Sequence, residues 1–391
     1  MKTTKQATEQ TKTLVLITRN FPPVRGGMER LNQNLAKEVA RYFKVKILAP
    51  RGAEDFAPQA DKVLTCPSSA SLFLACAIAK SFILALKARF SIRIDVVLAG
   101  SGVTAPPAFV LAKLSGARLG VYLHGLDVVV KSPLYRAIFL PLIRRADFWI
   151  ANSTATKRHC IDAGMPGEKI SVIHPGVDIP ETDLRSSSVT QLATEKSLPG
   201  HPILISVGRL TRRKGVKEFI QHSLPQIVAR HPETMFLVAG SVPKHALLKN
   251  HVTKEEIENA ARTAGVSHNV RLMGPISEEE LASLYRAADV HVFPLIPIEG
   301  DMEGFGMVAI ESAAWGVPTV AFAEGGVVDA VSEGVSGLLI ASGNYTQFSC
   351  RVCDILDGKV VFPADQMKSF ADEFRWEVFG KQVSECVFDN A

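Results

Sequence analysis

Several kinds of protein are excluded by what this chain of 391 residues has little of. Its six cysteines (Cys66, Cys76, Cys160, Cys350, Cys353 and Cys386) are too few and too scattered for a disulfide framework, and they fit a reducing compartment. Cys350 and Cys353 form a C-x-x-C, but no second pair or nearby histidine completes a zinc or redox motif. A half-buried helix face is the expectation there. Long hydrophobic runs are also missing. The greasiest stretch, Leu72 to Leu86, is interrupted by Lys80 and falls short of the roughly 20 residues that span a bilayer. The run Leu14 to Ile17, which follows a polar start, is too short for the core of a signal peptide. The chain is therefore expected to be soluble and cytoplasmic. Its basic residues are not interleaved with aromatics and match no reader motif, so nucleic acid is not an expected partner.

What is present suits a protein with a large core: 47% of residues are hydrophobic and 21% charged. Charge is unevenly shared. Residues 1–180 carry 25 Lys and Arg against 12 Asp and Glu, a net +13, and the remaining 211 carry 19 against 27, a net −8. A basic first half beside an acidic second half points to an anionic partner for the first: a membrane surface, a pyrophosphate-linked lipid or a nucleic acid, against the plain alternative of an ordinary basic domain.

Short apolar runs alternate with amphipathic stretches, the pattern of α/β layers built on parallel sheets. Strands are expected at 13–18, 45–49, 95–99, 118–123, 148–151 and 170–173, with helices at 28–42, 71–90, 108–114 and 134–145. A polar stretch without periodicity, 181–201, reads as a linker. A second α/β series follows, with strands at 203–207, 236–239, 270–273, 290–293, 319–322 and 338–340. The expected division is a basic first domain over 1–180, a second domain over 202–370, and a terminal segment, 371–391. Two such domains would leave a cleft facing the carboxyl ends of both sheets, where open α/β folds bind ligands.

The most informative segment is EGFGMVAIESAAWG, Glu303 to Gly316. Gly304 and Gly306 permit a tight turn with close backbone approach, and a helix opening behind them offers its N-terminus to a diphosphate. Glu311, inside that helix, can accept hydrogen bonds from two ribose hydroxyls, while Glu303 on the loop can reach a sugar. The second segment is SVGRLTRRKG, where Arg209 and Lys214 follow a strand end. Two cations there can neutralise charge on a departing diphosphate. The plain reading is a solvated basic turn, since Arg212 and Arg213 are there too. In the first half, Gly26 and Gly27 open a long helix after the first strand, and His124-Gly125-Leu126-Asp127 follows another strand. A histidine at a strand's carboxyl end points into a ligand crevice, although a lone histidine is more often structural.

Taken in order, Gly26-Gly27, His124, Asn152-Ser153, His174-Pro175-Gly176-Val177-Asp178, GRLTRRKG, the paired glutamates and GGVVDAV resemble the family 4 retaining glycosyltransferases. These are GT-B proteins with two Rossmann-like domains, and they include bacterial mannosyltransferases acting on lipid and polysaccharide acceptors. The resemblance covers most of the chain. It implies that Arg209 and Lys214 grip the donor diphosphate, Glu303 lies near the transferred sugar, and Glu311 holds the ribose. The backbone at Gly304, Phe305 and Gly306 would touch the sugar or phosphate. His124 would sit by the sugar, Gly26 and Gly27 near the phosphate and acceptor. The base would rest on backbone near Met273–Pro275. The last segment, from Phe374, resembles a helix that crosses back to the first domain.

The implied activity is transfer of a hexose from a GDP- or UDP-sugar to a lipid-linked or polysaccharide acceptor in cell-envelope glycan synthesis, with retention of anomeric configuration. One departure is the acidic loop Pro297 to Met302. No D-x-D arrangement is present, so no metal and no other cofactor is expected. The apolar, basic-ended helices 71–90 and 134–145 allow peripheral docking on an anionic membrane or burial against the sheet. A nucleotide-sugar epimerase and a non-catalytic sugar-nucleotide-binding subunit are the alternatives.

Overall fold

A computed structural model describes residues 12–24, 26–90, 93–180, 201–242 and 250–390. Apart from His201, the expected linker at 181–201 lies outside the described residues. The chain divides into two compact units, Met1–Gly176 with Trp376–Ala391, and Val177–Arg375.

The first unit is built on a seven-stranded parallel sheet: β1 (Thr13–Ile17), β2 (Lys44–Pro50), β3 (Lys62–Cys66), β4 (Val96–Ala99), β5 (Arg118–Leu123), β6 (Phe148–Ala151) and β7 (Ile170–Val172), in the order β3-β2-β1-β4-β5-β6-β7. The central strands β1 and β4 are short apolar runs buried along their whole length, as parallel strands covered on both faces must be. β3 was not anticipated. It is a partly exposed edge strand, and KVLTC lacks the continuous apolar run that marks a central one. The helix Gly27–Val39 packs against the last helix, Trp376–Asp389, and Phe43 and Phe388 stack there with centroids 4.5 Å apart.

The helix Ala70–Phe90 buries Phe73, Ala77, Ser81, Leu84 and Ala85, a stripe at helical spacing, while Leu72, Ile83, Leu86 and Phe90 stay exposed. It lies beside the helix Ala105–Ser115, which in turn touches Pro133–Ile143. Burial against the core thus holds for one face of the helix Ala70–Phe90, and the other face is bare.

The second unit holds a six-stranded parallel sheet: β8 (Ile203–Val207), β9 (Met235–Ala239), β10 (Val270–Gly274), β11 (Val290–Phe293), β12 (Thr319–Phe322) and β13 (Gly337–Ile340), in the order β10-β9-β8-β11-β12-β13. Alternate residues go to different clusters. Leu204, Phe236, Val292 and Val320 pack on one face with Phe219 and Phe348. Ile205 and Ala239 pack on the other with Tyr285, and Phe293 and Ala321 join Phe305 and Ile310. This is an α/β fold of two Rossmann-like domains. In each sheet the order reverses once, between β1 and β4 and between β8 and β11. The loops leaving those strands diverge there and open a crevice at the carboxyl ends.

Cys350 and Cys353 lie on the helix Tyr345–Leu356, the first exposed and the second buried, which is the half-buried face expected of them.

The aromatic cluster Phe219, Phe236, Phe348 and Phe322, with centroids 4.9 to 5.6 Å apart, is the hub of one face of the second unit. Phe219→Ala should cost about 3–5 kcal/mol as lost burial and a residual cavity. Phe90→Ala, at a ring 83% exposed, should change stability by less than about 0.5 kcal/mol. Urea unfolding of the two variants beside the parent checks both values.

Candidate active site

Of the expected donor-side residues, Lys214 and Glu303 meet at the point where the second sheet reverses. Leaving β8, the segment Gly208–Gly215 turns back on itself: Lys214 N–H donates to the Thr211 carbonyl (3.0 Å) and Gly215 N–H to the Arg212 carbonyl (3.0 Å). Gly215 is left-handed (φ 65), and a Cβ there would collide with the Pro294 carbonyl at the end of β11. The turn is also pinned to the β11 loop by Ile296 N–H donating to the Arg213 carbonyl (2.9 Å). Only glycine combines that φ with that approach, so Lys214-Gly215 acts as a unit that seats the lysine against the neighbouring strand.

From the β11 side, Glu303 reaches the same place. Its Oε2 accepts from Lys214 Nζ (2.9 Å) and from Arg213 Nε (3.2 Å). Its carbonyl accepts from Gly326 N–H (2.9 Å), and a Cβ on Gly326 would strike the Gly304 carbonyl, so the two glycine loops run backbone against backbone. Arg213 extends its other arm to Asp301 Oδ1 (3.5 Å) and Thr211 Oγ1 (3.5 Å). Lys214 Nζ lies over the ring of Phe293, 4.4 Å from its centroid. The four charged side chains are between 5% and 14% exposed.

The electrostatics follow from that crowding. Burial works to raise the pKa of Glu303, but Lys214 and Arg213, with Arg209 behind them, outweigh it and hold the carboxyl at about 2. Burial lowers the Lys214 ammonium from its usual value, opposed by Glu303 and reinforced by Arg213 and Arg209. Burial would also lower Arg213, but Glu303 and Asp301 pull it above its ordinary value. Beneath them, His291 on β11 is pushed down to about 3 by burial and by Lys214, so it stays neutral, its Nδ1 on Thr319 Oγ1 (3.1 Å). Arg209, by contrast, is exposed.

After Glu303 the chain runs through Gly304, Phe305 and Gly306 into the helix Met307–Ala314. Gly306 caps it in the left-handed region (φ 95) with no side-chain cap. The Phe305 ring is turned inward, packed with Phe293, Leu295 and Ile310 and 5.7 Å from Phe374, so at this residue only the backbone faces the loop. On the helix, Glu311 Oε2 accepts from the Tyr285 hydroxyl (3.3 Å). Met273 on β10 packs into the same small cluster as Tyr285. Tyr285 therefore links Glu311 to the cluster that holds Met273.

In the first unit, His124 follows β5, and its Nε2 sits 2.8 Å from the Gly100 carbonyl. A carbonyl only accepts, so Nε2 carries the proton in that contact. Asp127 bridges two loops, accepting from His124 N–H (2.9 Å) on one oxygen and from Gly102 N–H (3.0 Å) on the other. Gly100 also abuts the side chain of Asn32 on the helix that opens at Gly27, with Gly26 as its extended N-cap. Gly26, Gly27 and His124 thus share the carboxyl end of the first sheet, joined through Gly100–Gly102.

Reading the residues alone passed over Arg213, Asp301 and Tyr285. By sequence Arg213 has only the plain reading of a solvated basic turn, and Asp301 is one residue of an acidic loop that departs from the family and can shape the pocket. Each was the other's signal. The loop folds as a tight turn, with Asp301 N–H on the Ile298 carbonyl (3.0 Å), and presents its aspartate to Arg213. Tyr285 left no signal, being one apolar position of an amphipathic helix. Among the described residues no group of three His, Cys, Asp or Glu is gathered that would hold a metal ion.

Two family models match in sequence. "Glycosyltransferase Family 4" covers residues 25–181 and "Glycosyl transferases group 1" covers 190–373. The chain is 26% identical over 400 residues to a GDP-mannose-dependent alpha-(1-6)-phosphatidylinositol monomannoside mannosyltransferase of Mycolicibacterium smegmatis, covering 96% of this chain and 98% of that protein. It is 35% identical over 215 residues to a D-inositol 3-phosphate glycosyltransferase of Nocardiopsis dassonvillei, 54% of this chain and 48% of the relative. Among solved structures, Anabaena HepE with UDP and glucose superposes with TM-score 0.77 at 19% identity, covering 97% of this chain and 100% of HepE. The lipopolysaccharide outer core galactosyltransferase WaaB gives 0.71 at 18% identity, covering 97% and 100%. The GT-B architecture of these neighbours, and the two family models matched one after the other along the sequence, identify the chain as a family 4 glycosyltransferase of the GT-B type.

Proposed function

We propose that this glycosyltransferase moves a mannosyl residue from GDP-mannose to a hydroxyl of a lipid-linked acceptor in cell-envelope glycan synthesis, with retention of configuration. The observation that carries the reading is the Glu303 carboxylate, held ionised by Lys214 (2.9 Å) and Arg213 (3.2 Å) where the second sheet reverses. The choice of donor and acceptor leans on the Mycolicibacterium smegmatis relative, named for GDP-mannose and a phosphatidylinositol mannoside, which aligns along 96% of the chain.

In this reading Lys214 and the exposed Arg209 take the diphosphate, and the uncapped N-terminus of the helix Met307–Ala314 adds its partial positive charge. As the bond from the anomeric carbon to the diphosphate breaks, negative charge grows on the leaving oxygen, and these groups stabilise it. They supply the charge that a divalent cation otherwise brings, so the reaction is read as metal-independent. Glu303 holds the sugar hydroxyls, Glu311 the ribose, and backbone near Met273 the base. The acceptor hydroxyl bonds to the anomeric carbon on the face the diphosphate leaves, and its proton goes to the departing phosphate. His124, Gly26 and Gly27 are assigned to the sugar, phosphate and acceptor.

A docking surface belongs to the same reading. The helix Ala70–Phe90 has 21 residues, and only 28% of its most apolar 18-residue window, of mean hydropathy 1.8, is buried. Its bare stripe of Leu72, Ile83, Leu86 and Phe90 ends in Lys87 and Arg89, within a half of the chain that carries net +13. Apolar area flanked by lysine and arginine suits an anionic bilayer surface, where a lipid acceptor resides.

Glu311→Ala should weaken binding of GDP-mannose about tenfold or more, the worth of charged hydrogen bonds to a ribose. Lys214→Ala should mainly cut turnover, by about 100-fold. Calorimetry and radiolabelled transfer separate the two effects, and full transfer activity in a protein carrying both changes would refute the assignment. A sugar altered without acceptor would mark an epimerase instead.

Folding holds Glu303 below its ordinary 4.5, so its ionised form stabilises the native state fully above that value and less as pH falls towards about 2. Urea midpoints should therefore drop less steeply in Glu303→Gln than in the parent between about pH 5 and pH 3. Finally, the protein should co-sediment with vesicles containing phosphatidylglycerol and not with pure phosphatidylcholine, and Leu86→Glu should reduce that binding. Equal binding to both vesicles, or to neither, would rule out the docking surface.

A further inference from the structure

We infer that Arg213 is a positioning residue: anchored by Asp301, it stays on Glu303 when Lys214 turns to the donor diphosphate. The inference rests on the reading above that Glu303 serves the transferred sugar, and it adds a division of labour between two adjacent cations.

Four charges meet here, Arg213 and Lys214 against Glu303 and Asp301, and they balance. With no donor bound, Lys214 spends its ammonium on Glu303 (2.9 Å). A diphosphate brings two or more negative charges to the same place, and Lys214 can neutralise them only by leaving the carboxylate. A bare Glu303, about 14% exposed and facing an anion, would then take up a proton or turn away. A second cation that does not leave removes that conflict.

The geometry separates the two cations. Among the described residues Lys214 has one carboxylate partner, and it lies against the Gly208 backbone, where the Arg209 loop begins, with its ammonium over Phe293. Arg213 divides its planar fork, Nε to Glu303 (3.2 Å) and Nη1 to Asp301 (3.5 Å) and Thr211 (3.5 Å), and its own carbonyl is fixed by Ile296 N–H (2.9 Å). A fork tied at both ends is not free to follow a ligand, whereas an ammonium on a flexible stem is. Asp301, 5% exposed in the turn that begins at Ile298, is the fixed end. Asp301 therefore acts on the sugar site through Arg213.

The test uses the full chain and measures release of GDP from GDP-mannose and of UDP from UDP-glucose, with water as acceptor, taking kcat and donor KM across pH for the faster donor. Arg213→Gln should lower kcat about 100-fold, the scale of a misplaced catalytic group, with donor KM within about twofold of the parent. The acid limb of kcat should move to higher pH, because Glu303 has lost a cation that keeps it ionised. Arg213→Lys should not restore kcat, since one ammonium cannot span both carboxylates. Asp301→Asn should lower kcat in the same direction, and the double variant should be no slower than Arg213→Gln alone.

Melting temperatures establish which variants are folded. If Arg213→Gln is not, Asp301→Asn carries the test by its KM-against-kcat split and its pH limb. A raised donor KM with unchanged kcat would place Arg213 on the diphosphate and overturn the inference, as would losses that multiply in the double variant. Undiminished kcat in Glu303→Gln, or no nucleotide release by the parent from either donor, would instead overturn the underlying reading of the site.

Discussion

A carboxylate shared between two cations, in a corner almost closed to water, is the interaction on which the rest of the second unit is arranged. Glu303 at 14% exposure is tolerable only because Lys214 and Arg213 reach it within 3.2 Å, and Arg213 is tolerable only because Asp301 takes its other arm. Removing Arg213 would take the charge partner from Asp301, and removing Glu303 would take it from Lys214, leaving a desolvated charge, the costliest kind of polar defect. Everything local serves that meeting. The left-handed turn at Gly215 seats the lysine against β11, and Gly326 fixes the Glu303 backbone from the far side.

The meeting is placed by sheet order. Because β8 and β11 are neighbours whose following connections go opposite ways, the loops after them emerge side by side. The first sheet reverses likewise between β1 and β4, and there a carboxylate again ties loops together: Asp127 holds the His124 and Gly102 amides. The difference is chemical. In the second unit the carboxylate that joins loops is itself part of the proposed sugar site, whereas in the first it fixes backbone, beside a buried histidine whose Nε2 is on the Gly100 carbonyl.

The helix Ala70–Phe90 illustrates a different constraint. A sheet needs one apolar stripe from each covering helix, and Phe73, Ala77, Ser81, Leu84 and Ala85 supply it. Leu72, Ile83, Leu86 and Phe90 are surplus to that need, and bare apolar surface of this extent on a monomer generally marks contact with a partner or a lipid. A helix apolar all round gives no hint in its periodicity of which face will be core. That is why the segment reads equally well as buried or interfacial until the sheet beneath it is known.

Much of the molecule was legible one segment at a time. Short apolar runs, each punctuated by glycine, proline or an amphipathic stretch, located twelve of the thirteen strands among the described residues, because local burial on two faces demands them. β3 escaped because an edge strand makes no such demand. The donor-site reading of Arg209, Lys214, Glu303 and Glu311 came from the order of several motifs resembling one family, since a glycine turn before a helix and cations at a strand end are each common alone. What the sequence by itself determined, then, was the kind of fold, the kind of reaction and the residues local rules can mark. Only the tertiary structure decided that Phe305 faces the core, that Tyr285 reaches Glu311, and that Arg213 rather than Arg209 joins Lys214 on Glu303. The physical reason is distance along the chain. Arg213 and its two carboxylates are separated by about ninety residues, and pairing over that span is set by which strands lie side by side.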